Sequence, residues 1–298
     1  MNKTIVLTTI QPPTKATILF SEMKDWNLIV VGDLKTPEND YKKIDCEYIS
    51  PADQEKINKK LSDSIGWNSI QRRNFGYIVA YNNGTEILAN VDDDNIPYES
   101  WGKNLAINSE IDYECFESEN GYFDPLSVTN QPNLWHRGYP IELVNTKNNI
   151  KKLGIKKKRP LIQADLWDGD PDIDAICRLS LKPEVKYNNK TFFGSEQLSP
   201  FNTQNTFFAR DIIPHFMVIP HVGRMDDIWP SYLIQKKFPN SLIYGPSSVY
   251  QERNEQDLVA NLEKEIIGYR NTLNFLEDKY TMPEIAKQSY DLYIESFK

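Results

Sequence analysis

The sequence predicts an α/β fold with a parallel sheet in its N-terminal half, and three observations carry this. "TIVLTTI" (4–10) and "WNLIVVGD" (26–33) are short apolar runs rich in β-branched residues, and a segment of helical content, "TKATILFSEM", lies between them. A strand, a helix and a strand in that order imply a crossover connection, which makes the two strands parallel. A further apolar run, "TEILANV", follows another helical stretch and stops at three consecutive aspartates, Asp92, Asp93 and Asp94. With 298 residues, of which 40% are hydrophobic and 12% aromatic, the chain can bury a large core as one α/β unit.

The remaining elements follow in order. "SPADQEKINKKLSDSI" (50–65) opens with Ser50 and Pro51, an N-cap and first-turn pair, and its sparse apolar positions predict a solvated helix. "IQRRNFGYIVAYNNG" (70–84) places Ile70, Phe75, Ile78 and Val79 near helical spacing and closes on Gly84 as a C-cap. Residues 1–98 thus read as a nucleotide-binding type of α/β half. From 100 to 200 the pattern breaks into short apolar runs among aromatics, Asn, Pro and Asp. Within it, "KNNIKKLGIKKKRP" (147–160) reads as a solvated loop or helix surface. "TFFARDIIPHFMVIP" (206–220) is apolar again. In 257–280, Leu258, Leu262, Ile266, Tyr269, Leu273 and Leu276 recur at helical spacing and predict an amphipathic helix; "MPEIAKQSYDLYIESF" predicts another. With no repeat or linker, the expected organisation is one domain: a core over 1–256, split into 1–98 and 99–256, with the C-terminal helices of 257–298 packed on it.

Composition narrows the function. The net charge is −8, from 34 basic and 42 acidic residues, and no segment is strongly basic, so nucleic acid is not an expected partner. Cys46, Cys115 and Cys177 are odd in number, far apart and without CxxC spacing, which argues against a zinc site or a disulfide framework. The first ten residues contain too short an apolar run for a signal peptide, and no stretch approaches the roughly 20 apolar residues of a membrane span. A reduced, cytoplasmic setting is the expectation.

The carboxylates point to chemistry. Open parallel sheets bind ligands at the carboxyl ends of their strands. Asp33 ends one strand and Asp92–Asp94 another, so the sequence predicts that they share an edge. Adjacent aspartates there suit a hard cation, Mg²⁺ or Mn²⁺, which takes one or two carboxylates and completes its shell with a diphosphate. Such a cation also relieves the mutual repulsion of the three charges. The competing reading is an Asp-rich turn, with Asn95 and Pro97 as turn residues.

Several blocks together resemble one family. "VVGDLKTP", "YISPADQ" and "IGWNSIQRRNFGYIVAYNNGTEILANVDDDNIPY" are followed by "WHRGYPIEL" (135–143), "QADLWDGDPDIDAICRL" (163–179), "SPFNTQNTFFARD" (199–211), "MDDIWPSYL" (225–233) and "VYQERNEQDLVANLEKE" (249–265). In that order the series resembles the STELLO-like glycosyltransferases and, more distantly, the reversibly glycosylated polypeptides that act as UDP-arabinopyranose mutases. The resemblance implies a GT-A fold: a Rossmann-like nucleotide-sugar-binding sandwich with a mixed central sheet, and a DxD motif that binds a metal and a nucleotide-sugar, with UDP favoured.

Set on this sequence, the resemblance implies metal ligation by Asp92 and Asp94, with Asp92 and Asp93 toward ribose or sugar, and base recognition by Asp33. Arg72 and Arg73 stand where an arginine can pair with diphosphate or clamp the aspartates. Arg137 occupies the position of the arginine that carries sugar in the mutases; the alternatives are that it holds sugar or phosphate, or pairs with an aspartate. Asp168 and Asp170 are candidate sugar-hydroxyl acceptors, against a turn and a helix cap. Asp226 and Asp227 are candidate general bases and Trp229 a stacking surface. The histidine that often completes the metal shell is missing after His221, and Gln251 or a neighbour stands in its place. The expected function is metal-assisted glycosyl transfer from a nucleotide-sugar to a saccharide or glycoconjugate acceptor, in surface-polysaccharide or glycoconjugate synthesis. The alternatives are a nucleotide-sugar mutase working through Arg137, or a non-catalytic sugar-nucleotide-binding partner of a glycan synthase. A homo-oligomer is compatible with all three.

Overall fold

The computed structural model describes residues 1–252 and 256–298. The "VYQERN" block therefore lies partly outside the described residues. In chain order the strands are β1 (Lys3–Thr9), β2 (Asn27–Gly32), β3 (Glu47–Ile49), β4 (Ile87–Val91), β5 (Asn95–Pro97), β6 (Ile111–Ser118), β7 (Ile150–Lys158), β8 (Ile162–Gly169), β9 (Phe193–Ser195), β10 (Asn205–Ala209) and β11 (Leu242–Gln251). The helices are α1 (Lys15–Ser21), α2 (Glu38–Tyr41), α3 (Pro51–Ile65), α4 (Arg73–Asn82), α5 (Ala175–Leu181), α6 (Ile228–Lys237), α7 (Leu258–Leu276) and α8 (Glu284–Glu295).

One mixed sheet runs β3-β2-β1-β4-β10-β8-β11-β9-β6-β7, with β5 paired to β11. β1 is parallel to β2 and β4, and β2 to β3. β10 inserts antiparallel between β4 and β8, which leaves β8 and β11 parallel to the first four strands. The carboxyl ends of β1, β2, β4, β8 and β11 therefore face one edge. Apolar residues cover both faces: Val6, Val31, Phe75 and Ile78 on the α4 side, Ile5, Leu7, Phe20 and Phe207 on the α1 side.

Local sequence explains the N-terminal half. Ser50 caps α3 by accepting from the Asp53 backbone N–H, Asp53 accepts in return from the Ser50 N–H, and Pro51 fills the first turn. Gly84, at φ 76°, follows the last residues of α4 in the left-handed conformation that closes helices.

Two expectations change. Residues 147–160 are not loop or helix: most of them form β7, the sheet's edge strand. Its lysines pair across to acids, Lys152 with Glu114, Lys157 with Glu110 and Lys156 with Glu196, each at 3.0 Å. Lysines on an edge strand block unwanted pairing with other chains. The second change is the face of α7. The helix forms, but its most buried positions, Glu265, Gly268, Thr272 and Phe275, lie beside the apolar stripe, of which Leu276 is buried, Ile266 is 41% exposed and the rest are half-buried.

Candidate active site at the carboxyl edge of the sheet

Two connected hollows open along the carboxyl edge. The larger, about 580 Å³, is lined by Asp92, Asp94, Arg137, Asp226, Asp227 and Gln251, among others. The smaller, about 440 Å³, is lined by Thr9, Gln11, Asp33 and Asp93. They meet at Asn68, Ser69 and Ile70, the turn that leads into α4.

The three aspartates after β4 diverge. Asp92 is held by the Arg73 guanidinium, and its backbone N–H donates to Asn95 Oδ1 at 2.9 Å. Arg73 is fully buried at the start of α4 and also donates to the Thr203 carbonyl at 2.6 Å. Burial opposes the charge on Arg73, but Asp92, Tyr77 and Asp227 together outweigh it and keep the guanidinium protonated. Asp93 turns to the smaller hollow, where it accepts from Thr9 Oγ1; burial raises its carboxyl. Asp94 faces the larger hollow, with Gln251 Nε2 at 3.4 Å. Asp33 is buried beside Asp93 and accepts from the Leu34 and Ser69 N–H groups at 2.6 and 3.0 Å. The Asn95–Pro97 segment, read as turn residues in the competing account, is the short strand β5.

Opposite stand the vicinal carboxylates of "MDDIW". Asp227 is buried and saturated. It accepts from Arg137 at 3.0 and 3.4 Å and from the backbone and hydroxyl of Thr203 at 3.0 and 3.1 Å. Asp226 accepts from Gln71 Nε2 at 2.7 Å and from the Asp227 N–H at 3.2 Å, and keeps lone pairs toward the hollow. Burial, and next the charge of Asp227, push the Asp226 carboxyl up to about 7.

Arg137 is committed on every side. Nε donates to Asp172 at 2.8 Å, Nη1 and Nη2 donate to Asp227, and Nη1 also meets the Arg224 carbonyl. Burial works against its charge, yet Asp172 and Asp227 raise its pKa well above the ordinary arginine value. For Asp172 burial would raise the carboxyl, but Arg137, His136 and Arg224 together outweigh it and hold it far below the usual carboxylate range.

The turn before Asp226 is buttressed by α7. Gly223 sits at φ 61°, and a Cβ there would lie 2.1 Å from the Lys264 carbonyl, so only glycine lets the turn approach the helix. Glu265, the buried carboxylate of α7, accepts from Arg224 Nε at 2.8 Å, from the Ala175 N–H at 2.7 Å and from Tyr269 Oη at 2.8 Å.

Several expected residues stand elsewhere. Arg72 is buried under α3 between the rings of Trp67 and Phe75, donating to Gln54 and Ser62, away from the hollows; burial lowers its pKa to about 10. Trp229 is fully buried, stacked on Phe275 at 4.9 Å with Nε1 on Thr272, so it offers no face to a sugar. The acidic run from 165 to 174 separates into five tasks. Asp165 lies under another cleft, Asp168 accepts from Tyr98 Oη and the Tyr187 N–H, Asp170 pairs with Arg178, Asp172 holds Arg137, and Asp174 rather than Asp170 or Asp172 caps α5. Asp168 and Asp170 thus serve as internal ties and do not line the two hollows. Sequence reading passed over Gln71, Thr203 and Asp172 as site residues.

The residues present suit a divalent cation. Among the described residues no group of three His, Cys, Asp or Glu side chains gathers. Magnesium and manganese do not need one when a diphosphate supplies the remaining oxygens. Asp92 and Asp94 share the wall of the hollow, and Gln251 Oε1, beside Asp94, is a buried acceptor with no hydrogen-bond partner among the described residues.

Comparison with known proteins agrees with this architecture. No family model matches the chain. It is similar to two curated Arabidopsis thaliana proteins, Probable glycosyltransferase STELLO2 (21% identity) and Probable glycosyltransferase STELLO1 (20%), each over 90% of this chain. The chain spans about two fifths of the length of these relatives, 40% and 39%. Among solved structures, glucosyl-3-phosphoglycerate synthase from Mycobacterium tuberculosis, in complex with Mn²⁺, uridine diphosphate and phosphoglyceric acid, aligns with TM-score 0.50 and 13% identity, covering 95% of this chain and 80% of that one. The fold is thus of the GT-A type, a mixed α/β structure around a large central sheet. No helix among the described residues is long and apolar enough to cross a membrane.

Proposed function

We propose that this chain is a divalent-metal-assisted glycosyltransferase that takes a UDP-sugar as donor and passes the sugar to a hydroxyl of a saccharide or glycoconjugate. The observation that carries this reading is the pairing of two carboxylate walls across one hollow: Asp92 and Asp94 at the end of β4, Asp226 and Asp227 before α6. The similarity to curated probable glycosyltransferases supports it. The solved structure bound to Mn²⁺ and UDP supports the donor and the metal through the shared fold. The whole of 1–298 works as one catalytic unit in this reading, with α7 bracing the Asp226 turn.

Asp33, Asp93 and the Thr9–Gln11 segment would hold the base and ribose in the smaller hollow. Asp92, Asp94 and Gln251 Oε1 would hold Mg²⁺ or Mn²⁺, which would supply neutralising charge to the leaving diphosphate. Arg73 fixes Asp92 without reaching the ligand. Asp226 is the general base: its raised pKa matches a proton acceptor working near neutral pH, and it takes the acceptor's hydroxyl proton as the glycosidic bond forms. Asp227 and Asp172 hold Arg137.

The same geometry argues against a mutase that carries sugar on Arg137. A nucleophilic guanidinium must lose a proton, and Arg137 lies between two carboxylates that hold its protons in place. The test is incubation with UDP-sugars, Mn²⁺ and a panel of glycoside acceptors, read by mass spectrometry of both product and protein. Acceptor-dependent product with no mass added to the protein is expected. Ring interconversion without acceptor, together with a sugar adduct on Arg137, overturns the reading.

A further inference from the structure

The sheet carries a second polar cleft, about 580 Å³, that shares no lining residue with the two hollows of the carboxyl edge. It lies at an irregularity in β11. Gly245 pairs with Asp165 and Val249 with Trp167, so Pro246, Ser247 and Ser248 stand opposite Leu166 alone and loop out of the ladder. Gly245 brings the strand close to Asp165: a Cβ there would displace the Asp165 carboxyl.

Asp165 forms the floor. It is 7% exposed, and its partners among the described residues are neutral: Gln163 Nε2 and Ser248 Oγ, both at 2.8 Å. Burial raises its carboxyl to about 7. The Ser247 hydroxyl, also in the wall, is buried without a hydrogen-bond partner among the described residues. Phe192 supplies a half-buried ring, and Lys103, Lys190 and Asp112 stand at the exposed mouth.

The lining selects the chemistry of the ligand. Two lysines balance two aspartates, so the cleft favours neither an anion nor a cation. The carboxyl of Asp165 and the polar mouth disfavour an apolar guest, because its entry would strip them of water without replacement. A neutral molecule bearing several hydroxyls satisfies both, and a ring face of C–H groups suits the electron-rich face of Phe192. The volume lies within the range of small-molecule sites. We propose that the cleft at the β11 bulge is a second carbohydrate-binding site, in which Asp165 accepts from a hydroxyl and Phe192 supports a sugar ring. The proposal goes beyond the transferase reading and stands independently of it.

The test is saturation-transfer NMR on the full chain, without nucleotide and with EDTA, using methyl glycosides of the common hexoses and N-acetylhexosamines. At least one glycoside should bind. Ser247→Trp, which fills the cleft, should abolish the signal, with a thermal melt confirming that it folds. Asp165→Asn preserves the shape and should weaken binding about tenfold, the scale of one charge-assisted hydrogen bond. Asp226→Asn, in the other cleft, should leave binding unchanged. The proposal is overturned if no glycoside binds, if binding survives both Ser247→Trp and Asp165→Asn, or if Asp226→Asn removes it.

Discussion

The two walls of the edge cleft both carry adjacent aspartates, and they treat them in opposite ways. After β4, each carboxylate goes to its own partner: Asp92 to Arg73, Asp93 to Thr9, Asp94 to the neighbourhood of Gln251. Before α6, Asp227 takes Arg137 and Thr203, while the hydrogen-bond donors to Asp226 among the described residues are neutral and its neighbour's charge repels it. Residue type is the same on both walls; environment separates a group suited to holding a cation from one suited to moving a proton. An acid and a base are told apart by what pushes their pKa values apart.

The largest expected effect breaks that contrast at Asp226. Asp226→Asn should lower turnover by about 10²–10⁴, the range for loss of a general base. Affinity for UDP, measured by calorimetry, should stay within the error of wild type. The wild-type rate should rise with pH through about 7, as the carboxyl becomes free to accept a proton. Equal losses for Asp226→Asn and a mutant of a distant surface residue would remove Asp226 from the chemistry.

Asp227→Asn tests the other member of the pair and should act on stability. It leaves Arg137 buried with one carboxylate, Asp172, where it had two. Loss of one partner from a buried pair costs roughly 3–5 kcal/mol, and this variant sits at the lower end because Asp172 remains. Chemical denaturation should show it. If Asp227→Asn folds as stably as wild type and loses only turnover, then Asp227 and not Asp226 is the base.

The β4 wall is tested by its metal dependence. Asp94→Asn should weaken UDP binding about tenfold in Mn²⁺ and leave unchanged the weaker binding seen in EDTA, since a lost ligand matters only while the cation is bound. Gln251→Ala should act the same way and more weakly, because an amide oxygen carries no net charge. Wild-type affinity that is the same in Mn²⁺ and in EDTA would show that this wall binds no functional cation.

How much of this was written in the chain depends on how local each cause is. The strand ends at Asp33 and Asp92–Asp94 were legible, because an apolar run and its boundary lie within ten residues. The capping box at Ser50 was legible for the same reason. Partnerships were not: Gln71 meets Asp226 across 155 positions and Arg137 meets Asp227 across 90. Five aspartates in ten residues gave no means of choosing Asp172, because each answers to a different distant element. α7 misled for a physical reason. It packs over a polar turn, so its buried face carries Glu265 and Gly268, and Ile266 is left outside. The resemblance offers Trp229 as a stacking surface, yet it stands in the first turn of α6 with its ring stacked on Phe275 of α7.

The smallest expected effect is on stability at Asp226, and its sign follows from the direction of the shift. An ordinary aspartate ionises near 3.9 in an unfolded chain, whereas in the fold this carboxyl is raised to about 7. The folded state thus prefers the protonated form. Whatever stability the raised group contributes is fully present below about pH 4, falls as pH rises toward 7, and is flat beyond. Asp226→Asn keeps an uncharged side chain at every pH and has no such loss. Its melting temperature should match wild type near pH 4 and exceed it by a few degrees at pH 8, measured by calorimetry at constant ionic strength. Water in the open cleft screens the charge, which keeps the gain small. A gap that is constant with pH, or a variant less stable at pH 8 than wild type, would show that Asp226 is an ordinary carboxylate and would leave the cleft without a base tuned to neutral pH.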